Sequence, residues 1–343
     1  MEGLWCSAIC AALVVILAGL LSACGGGRAA TRSSSPTTVP PSEKCPLTDL
    51  NPPGGTVPAR PALAVKVDNS GAARPQFGLS AADVVYEEPV EGGLTRFVAI
   101  YQCRDATRIE PVRSARIIDP AIVDQFGAHP LFAYAGGIQP AVAAVDASSL
   151  VDVGVNRAPS AYWRDPTRYA PHNLTSSTAA LYRAGEAEHP GNTAPSPVFA
   201  YGPLAQDSQP AGTVQIDYPA SGLTWTWQPG SQLWLRSYPH SGPAGQGEGG
   251  QVSAANVIVM TVVMYPSPYV EDATGAHENL LVLTGSGPAQ IFRDGAVISG
   301  TWSRPVLAQP TQYLDGSGHS VALSPGNTWI ELVPTTVAVD VSP

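Results

Sequence analysis

The chain has 343 residues, 44% of them hydrophobic and 13% charged, with 34 Gly and 34 Pro. That apolar share supplies cores for two ordinary domains, and the formal net charge of −9 excludes a nucleic-acid binder, which needs a basic face to release counterions. Only one apolar run approaches the thickness of a bilayer, which excludes a multispanning membrane protein.

That run, Ala8–Ala23, is almost uninterrupted Ala, Val, Ile and Leu and ends in Leu21-Ser22-Ala23-Cys24 before a glycine run. Small residues ahead of a cleavage point fit a secretory signal. An uncleaved anchor helix is the alternative reading, and Glu2 with no nearby Lys or Arg departs from the usual basic start. Leu-Ser-Ala-Cys resembles a bacterial lipobox, which implies palmitate-type acyl chains on Cys24 after removal of residues 1–23. Two or three chains, at ~0.8 kcal/mol per buried methylene, anchor where one would not. Residues 24–59 then read as a flexible Ser/Thr/Pro-rich tether. The expected location is extracytoplasmic, on the outer face of the cell membrane, held by lipid on Cys24.

Cys6 and Cys10 leave with the signal and Cys24 takes the lipid, so Cys45 and Cys103 remain. In an oxidising envelope two leftover thiols are expected to form a disulfide. The alternative, Cys103 as a nucleophile with His129 or His172, lacks any local group that would activate the thiol.

Residues 60–190 read as a mixed α/β domain. Strands are expected at Ala62–Val67, Val84–Tyr86 and Phe97–Tyr101. Asp119-Pro120 predicts a helix start with Asp at the N-cap and Pro next, running to Phe126 and stopped by Gly127. Further short helices are expected at Pro140–Asp146 and Thr178–Ala187, the second capped by Ser176 or Ser177. Residues 191–211 are a Pro-rich linker. Residues 212–334 read as a β-rich, mainly antiparallel domain, with strands at Thr213–Tyr218, Leu223–Gln228, Gln232–Ser237, Asn256–Tyr265, Asn279–Thr284, Thr311–Leu314 and Trp329–Val333. Residues 335–343 form a tail. The fold class is therefore α+β. Trp225, Trp227, Trp234, Trp302 and Trp329 are expected in the core or on hairpin faces, a sugar-stacking platform being the alternative.

Charge separates the halves: residues 60–183 hold 12 basic and 12 acidic groups, and residues 184–343 hold 3 and 12. In the first half the polar residues cluster in turns, around Arg74, Glu87 to Arg96, Arg113 to Arg116, and His172-Asn173. Loops bearing Arg and Glu at element ends are how a fold builds a cleft. The candidate cleft is Arg74, Glu87, Glu91, Arg96, Arg113, Ser114, Arg116, His172 and Asn173, suited to an anion near a helix start. The competing reading pairs the four arginines internally with Asp83, Glu87 and Glu91. Catalytic versions would use Ser114 with His172, or Glu87 and Glu91 as an acid/base pair on a glycan. The six histidines are scattered without zinc spacing, and no metal, cofactor or assembled catalytic set is expected.

The same stretches carry a resemblance. Val67-Asp68-Asn69, Arg74-Pro75-Gln76, Ala82-Asp83-Val84-Val85-Tyr86-Glu87, Thr95-Arg96-Phe97, Pro111-Val112-Arg113-Ser114-Ala115-Arg116, Ala170-Pro171-His172-Asn173, Trp302-Ser303-Arg304 and Pro325-Gly326-Asn327-Thr328-Trp329 resemble the YerB-type bacterial lipoprotein family, over roughly residues 60 to 334. The resemblance implies an exported two-domain lipoprotein of unassigned activity. The expected role is a non-catalytic binding or scaffold module of the envelope, meeting the membrane through its lipid and an envelope protein or cell-wall fragment through its body. A link to cell-wall synthesis or division fits such a module. The alternative is an envelope hydrolase or transferase acting on peptidoglycan or a related glycan or peptide.

Overall fold

The computed structural model describes residues 43–239, 241–271 and 274–343. The signal, Cys24 and most of the tether lie outside the described residues. Among the described residues no helix is long and apolar enough to cross a membrane.

Alternating and continuous apolar runs make the strands. The first half supplies β1 (Leu63–Asp68), β2 (Val84–Pro89), β3 (Thr95–Tyr101), β4 (Leu131–Ala133) and β5 (Val151–Asp152). There follow β6 (Thr213–Ile216), β7 (Leu223–Gln228) and β8 (Leu233–Tyr238) of a smaller sheet. Next come β9 (Asn256–Val262) and the hairpin strands β10 (Met264–Val270) and β11 (His277–Leu281). The chain closes with β12 (Gly285–Arg293), β13 (Ala296–Arg304), β14 (Gln312–Asp315), β15 (Thr328–Pro334) and β16 (Val339–Ser342). The large mixed sheet runs β14-β13-β12-β9-β15-β2-β3-β1-β4-β5. The smaller sheet is antiparallel and runs β8-β7-β6-β16. With helices α1 (Asp119–Val123), α2 (Gln139–Asp146) and α3 (Thr178–Glu188), the class is α+β.

The two halves meet inside one sheet. β2 pairs in parallel with β15, from Val84 opposite Thr328 to Glu87 opposite Glu331. The Pro-rich stretch at 191–211 contributes Gln209–Pro210 as a short strand on β13, and the 335–343 tail pairs as β16 with β6. The tether expected to reach residue 59 is packed from Cys45: Cys45, Leu47 and Thr48 are buried, and Cys45 is disulfide-bonded to Cys103. Backbone pairing across more than two hundred residues leaves no local trace in the sequence, whereas the composition of 191–211 and 24–59 does read as linker.

Each face of the large sheet has its own core. Val65, Val67, Val85, Phe97, Val259 and Trp329 face the smaller sheet, where Ile216, Trp225 and Trp234 pack against them. Ala64, Tyr86, Val98, Ile258, Met260 and Ile330 face α1, the turn after it and α2, through Ile122, Phe126 and Val145. Trp225, Trp234, Trp302 and Trp329 are all buried and offer no face to a sugar, while Trp227 is half-buried against Trp234, ring centroids 5.5 Å apart. Ser177 caps α3, its hydroxyl accepting from the Ala180 N–H at 3.3 Å. Asp119 does not cap α1. The N-cap is Ile118, and Asp119 is a fully buried acid with the role described next. The apolar run Asn256–Tyr265 is two strands, β9 and β10, broken at Val263, which is 54% exposed.

Candidate functional site

Polar residues in β1 to β3 fall on alternate faces because side chains alternate along a strand. On the helix side, Lys66, Asp68, Glu88 and Arg96 come together at one end of the sheet, with Asp68 and Glu88 both opposite Arg96 in register. Lys66 Nζ donates to Asp119 Oδ1 at 2.6 Å and to Glu88, all three fully buried. Burial pulls the Lys66 pKa down to about 8 despite the opposing pull of Asp119. The other Asp119 oxygen accepts from the Arg116 N–H at 2.6 Å, fixing the segment that carries Arg113, Ser114 and Arg116.

The arginines of that segment are paired. Arg116 Nη2 donates to Glu91 Oε1 at 2.6 Å, and its Nη1 lies 2.8 Å from Glu271 Oε1. Arg96 Nη2 reaches Glu91 at 3.5 Å; burial, with the neighbouring Arg116 charge, lowers the Arg96 pKa to about 10. Glu278, on β11, accepts from the Ile117 N–H. Burial raises its carboxyl to about 7, and burial raises Glu271 as well. The β10–β11 hairpin thus lays two reluctant acids against the Arg116 segment. The turn that presents Glu91 is tightly placed: Gly93 has φ +72°, and an added Cβ would sit 2.8 Å from Pro219.

Asp68 organises the open edge of this cluster. Its Oδ1 accepts from the Ser70 N–H at 3.0 Å, and its Oδ2 takes Arg113 Nε at 3.1 Å and His172 Nδ1 at 2.8 Å. Burial works against the carboxylate, but the Ser70 N–H, the Arg113 and Arg96 charges and His172 outweigh it, and the pKa falls. Arg113 and His172 keep 25% and 22% of their side-chain surface exposed, against 2% for Arg116 and 8% for Arg96. Ser114 is half-buried beside them. His172 Nε2 and the Arg113 Nη groups have no hydrogen-bond partner among the described residues. This rim can hold an anion or a carbonyl, or accept a proton on the imidazole.

The remaining cleft candidates lie elsewhere. Glu87 is on the opposite face, where Arg236 Nη2 binds both its oxygens at 2.7 and 2.9 Å. Glu87 and Glu91 therefore form no acid/base pair: β2 turns Glu87 between the sheets onto Arg236, and the turn after β2 carries Glu91 to Arg116. Glu331 stands opposite Glu87 in register and accepts from Trp225 Nε1 at 2.8 Å. Burial first and the Glu87 charge second push its pKa well above the carboxylate range. Asn69 is on this face as well, donating to Glu87 at 3.1 Å while its Oδ1 accepts from the Tyr238 hydroxyl at 2.9 Å. Arg74 lies on this side too, its guanidinium 3.4 Å over the Tyr238 ring. Asn173 belongs to a neighbouring turn, its Oδ1 taken by Arg164 at 2.7 Å.

Sequence reasoning missed Lys66, Glu88, Asp119, Arg236, Glu271 and Glu278. A lysine inside the run Leu-Ala-Val-Lys-Val and an arginine within Leu-Trp-Leu-Arg-Ser-Tyr are signals, since a buried charge must be paired. The two hairpin acids carry no such mark. Among the described residues no cluster of three or more His, Cys, Asp or Glu could hold a metal ion.

Family models for a protein of unknown function, DUF3048, match this chain at residues 47–191 for the N-terminal domain and 214–330 for the C-terminal domain. The chain is 27% identical over 305 residues to a Bacillus subtilis protein named "Putative lipoprotein YerB", covering 87% of this chain and 88% of that one. The crystal structure of YerB from Bacillus subtilis superposes with a TM-score of 0.75 at 25% identity, over 87% of this chain and 99% of that chain. With both family models in order along the sequence and the fold shared over nearly the whole relative, the chain belongs to the YerB-like DUF3048 family.

Proposed function

We propose that the protein is a lipoprotein of the bacterial cell envelope, anchored by acylated Cys24 on the outer face of the membrane, whose folded body binds an envelope protein or a cell-wall fragment. The binding surface is the rim of Asp68, Arg113, Ser114 and His172. The observation that carries this reading is the division of labour around Asp68: Arg113 and His172 are oriented by one carboxylate, yet the Arg113 Nη groups and His172 Nε2 have no partner among the described residues and both side chains stay partly exposed. Arg96 and Arg116 behind them are spent on Glu91 and Glu271. A guanidinium held by a buried acid is preorganised, and preorganisation lowers the entropic cost of binding. The name of the relative supports the lipid anchor, as does Leu21-Ser22-Ala23-Cys24. Affinity capture from cross-linked envelopes tests the binding role: the parent protein is expected to retain a partner that Arg113→Ala loses while staying folded. Labelling with a radioactive fatty acid tests the anchor, and Cys24→Ala is expected to carry none.

A second reading rests on the Asp68–His172 contact. An acid on Nδ1 fixes the tautomer and leaves Nε2 as a base, toward water or the Ser114 hydroxyl. That version predicts turnover of purified peptidoglycan that disappears in His172→Gln.

A further inference from the structure

The loop that follows β1 separates two environments. Asp68 looks toward the rim, while Arg74 borders a cavity of about 650 Å³ on the smaller-sheet side, walled by Gln215, Asp217, Tyr218, Ser221 and Tyr238. We propose that this cavity is a second binding site, for a ligand bearing a free carboxylate, with the Arg74 guanidinium as its receptor. The proposal goes beyond the rim reading and does not depend on it.

Four observations carry it. Arg74 has no ion-pair partner among the described residues, although Arg96, Arg113, Arg116 and Arg236 each have one. Its guanidinium is nevertheless fixed: Nη2 donates to the Asn69 carbonyl at 3.0 Å, Nε reaches Asn69 Oδ1 at 3.4 Å, and the plane rests on Tyr238. Nη1 and one Nη2 hydrogen remain, the edge that takes a carboxylate through two parallel hydrogen bonds. Burial, with the nearby Arg236 charge, lowers the Arg74 pKa, a cost that a bound anion offsets.

The wall selects among anions. Ser221 has a buried hydroxyl without a hydrogen-bond partner among the described residues, a donor available to the same ligand. Asp217 is exposed at the mouth and accepts from Gln215 Nε2 at 2.8 Å. One fixed cation with one acid at the rim favours a monoanion whose adjoining part is neutral or cationic, and disfavours a phosphate dianion. A peptide C-terminus and a sugar acid both present such a carboxylate.

The test uses the full chain in detergent micelles, titrated with N-acetyl-alanyl-alanine, its C-terminal amide, and glucuronate. The arginine Nε–Hε correlations are read by NMR and the affinities by calorimetry. The expected result is a shift of the Arg74 signal with one or both carboxylates and none with the amide. Whichever carboxylate binds names the source. Arg74→Lys, which keeps the charge and loses the fork, is expected to weaken binding about tenfold, and Ser221→Ala by less. An equal response to the amide overturns the proposal, as does undiminished binding by Arg74→Lys or an unmoved Arg74 signal at saturating ligand. The Arg113 signal reports the rim in the same spectrum. A shift there with Arg74 unmoved overturns this proposal and leaves the rim reading standing. If a variant fails to fold, the spectra of the parent protein alone decide.

Discussion

His172 Nδ1 lies 2.8 Å from Asp68 Oδ2, joining a turn to the end of β1 across 104 residues of sequence. Arg113 shares the same oxygen. One buried carboxylate therefore orients a guanidinium and an imidazole that remain partly open to solvent, while the arginines behind them are sealed against Glu91 and Glu271. This contrast makes the arginines separable by stability.

Arg116→Ala takes the cation from Glu271 and leaves Glu91 only the longer Arg96 contact, and is expected to cost about 3 kcal/mol, the low end for breaking a buried pair. Arg113→Ala removes a partly exposed partner of Asp68 and is expected to cost about 1 kcal/mol or less. Denaturant titrations of both variants check the difference.

Glu87 and Glu331 face each other in the sheet but differ in their partners: Arg236 holds both Glu87 oxygens, and Glu331 accepts from Trp225 Nε1. Burial, and after it the Glu87 charge, raise the Glu331 carboxyl well above its free value, which favours its neutral form, so Glu331→Gln is expected to change stability by about 1 kcal/mol or less. Glu87→Gln leaves the Arg236 charge uncompensated in a dry site and is expected to cost about 3 kcal/mol or more. Chemical unfolding at neutral pH compares the two.

Glu278 gives a pH dependence of defined sign. Its carboxyl titrates near 7 in the folded protein, because it is buried, against 4.5 when free. The native state therefore binds the proton more tightly, and the stabilisation is complete below about pH 4.5. It is lost as the pH rises toward and through 7, by at most about 3 kcal/mol for a shift of this size. Glu278→Gln is expected to flatten the stability profile between about pH 5 and 8. Glu271, raised in the same direction, leaves a smaller residual slope in that variant.

The Cys45–Cys103 bond closes a loop with a sequence separation of 58. The chain-entropy treatment gives about 4 kcal/mol for such a loop. Cys45→Ser with Cys103→Ser is expected to lose up to that amount, and alkylation mass spectrometry without reductant should find no free thiol at either position in the parent protein.

Local signals in the sequence specified local structure well. Ser177 caps α3 where a serine before an apolar period should, and the strand expected at Ala62–Val67 is β1, Leu63–Asp68, buried along its whole length. The disulfide followed from counting thiols. The shared sheet was not legible, because the parallel pairing of β2 with β15 is a contact between distant segments that leaves no periodicity of its own. The candidate site was legible as a set of turn residues and illegible as a geometry. Neighbours in sequence such as Glu87 and Glu88 point to opposite faces, so Glu87 meets Arg236 and Glu88 meets Lys66. Asp119 looked like a cap because an Asp-Pro pair usually is one; its carboxylate instead found Lys66 and the Arg116 N–H.

The central claim is that the Asp68–Arg113–His172 rim meets the partner. It is tested most directly by replacing Ser114 with photoreactive benzoylphenylalanine in the membrane-anchored protein and irradiating intact cells. The same label at the exposed Ser317, in the turn after edge strand β14, serves as the control. The account predicts a discrete cross-linked envelope protein or wall fragment from position 114, absent at 317 and reduced when Arg113→Ala is added. Equal cross-linking from both positions, or none from 114 in a folded and anchored protein, would contradict it.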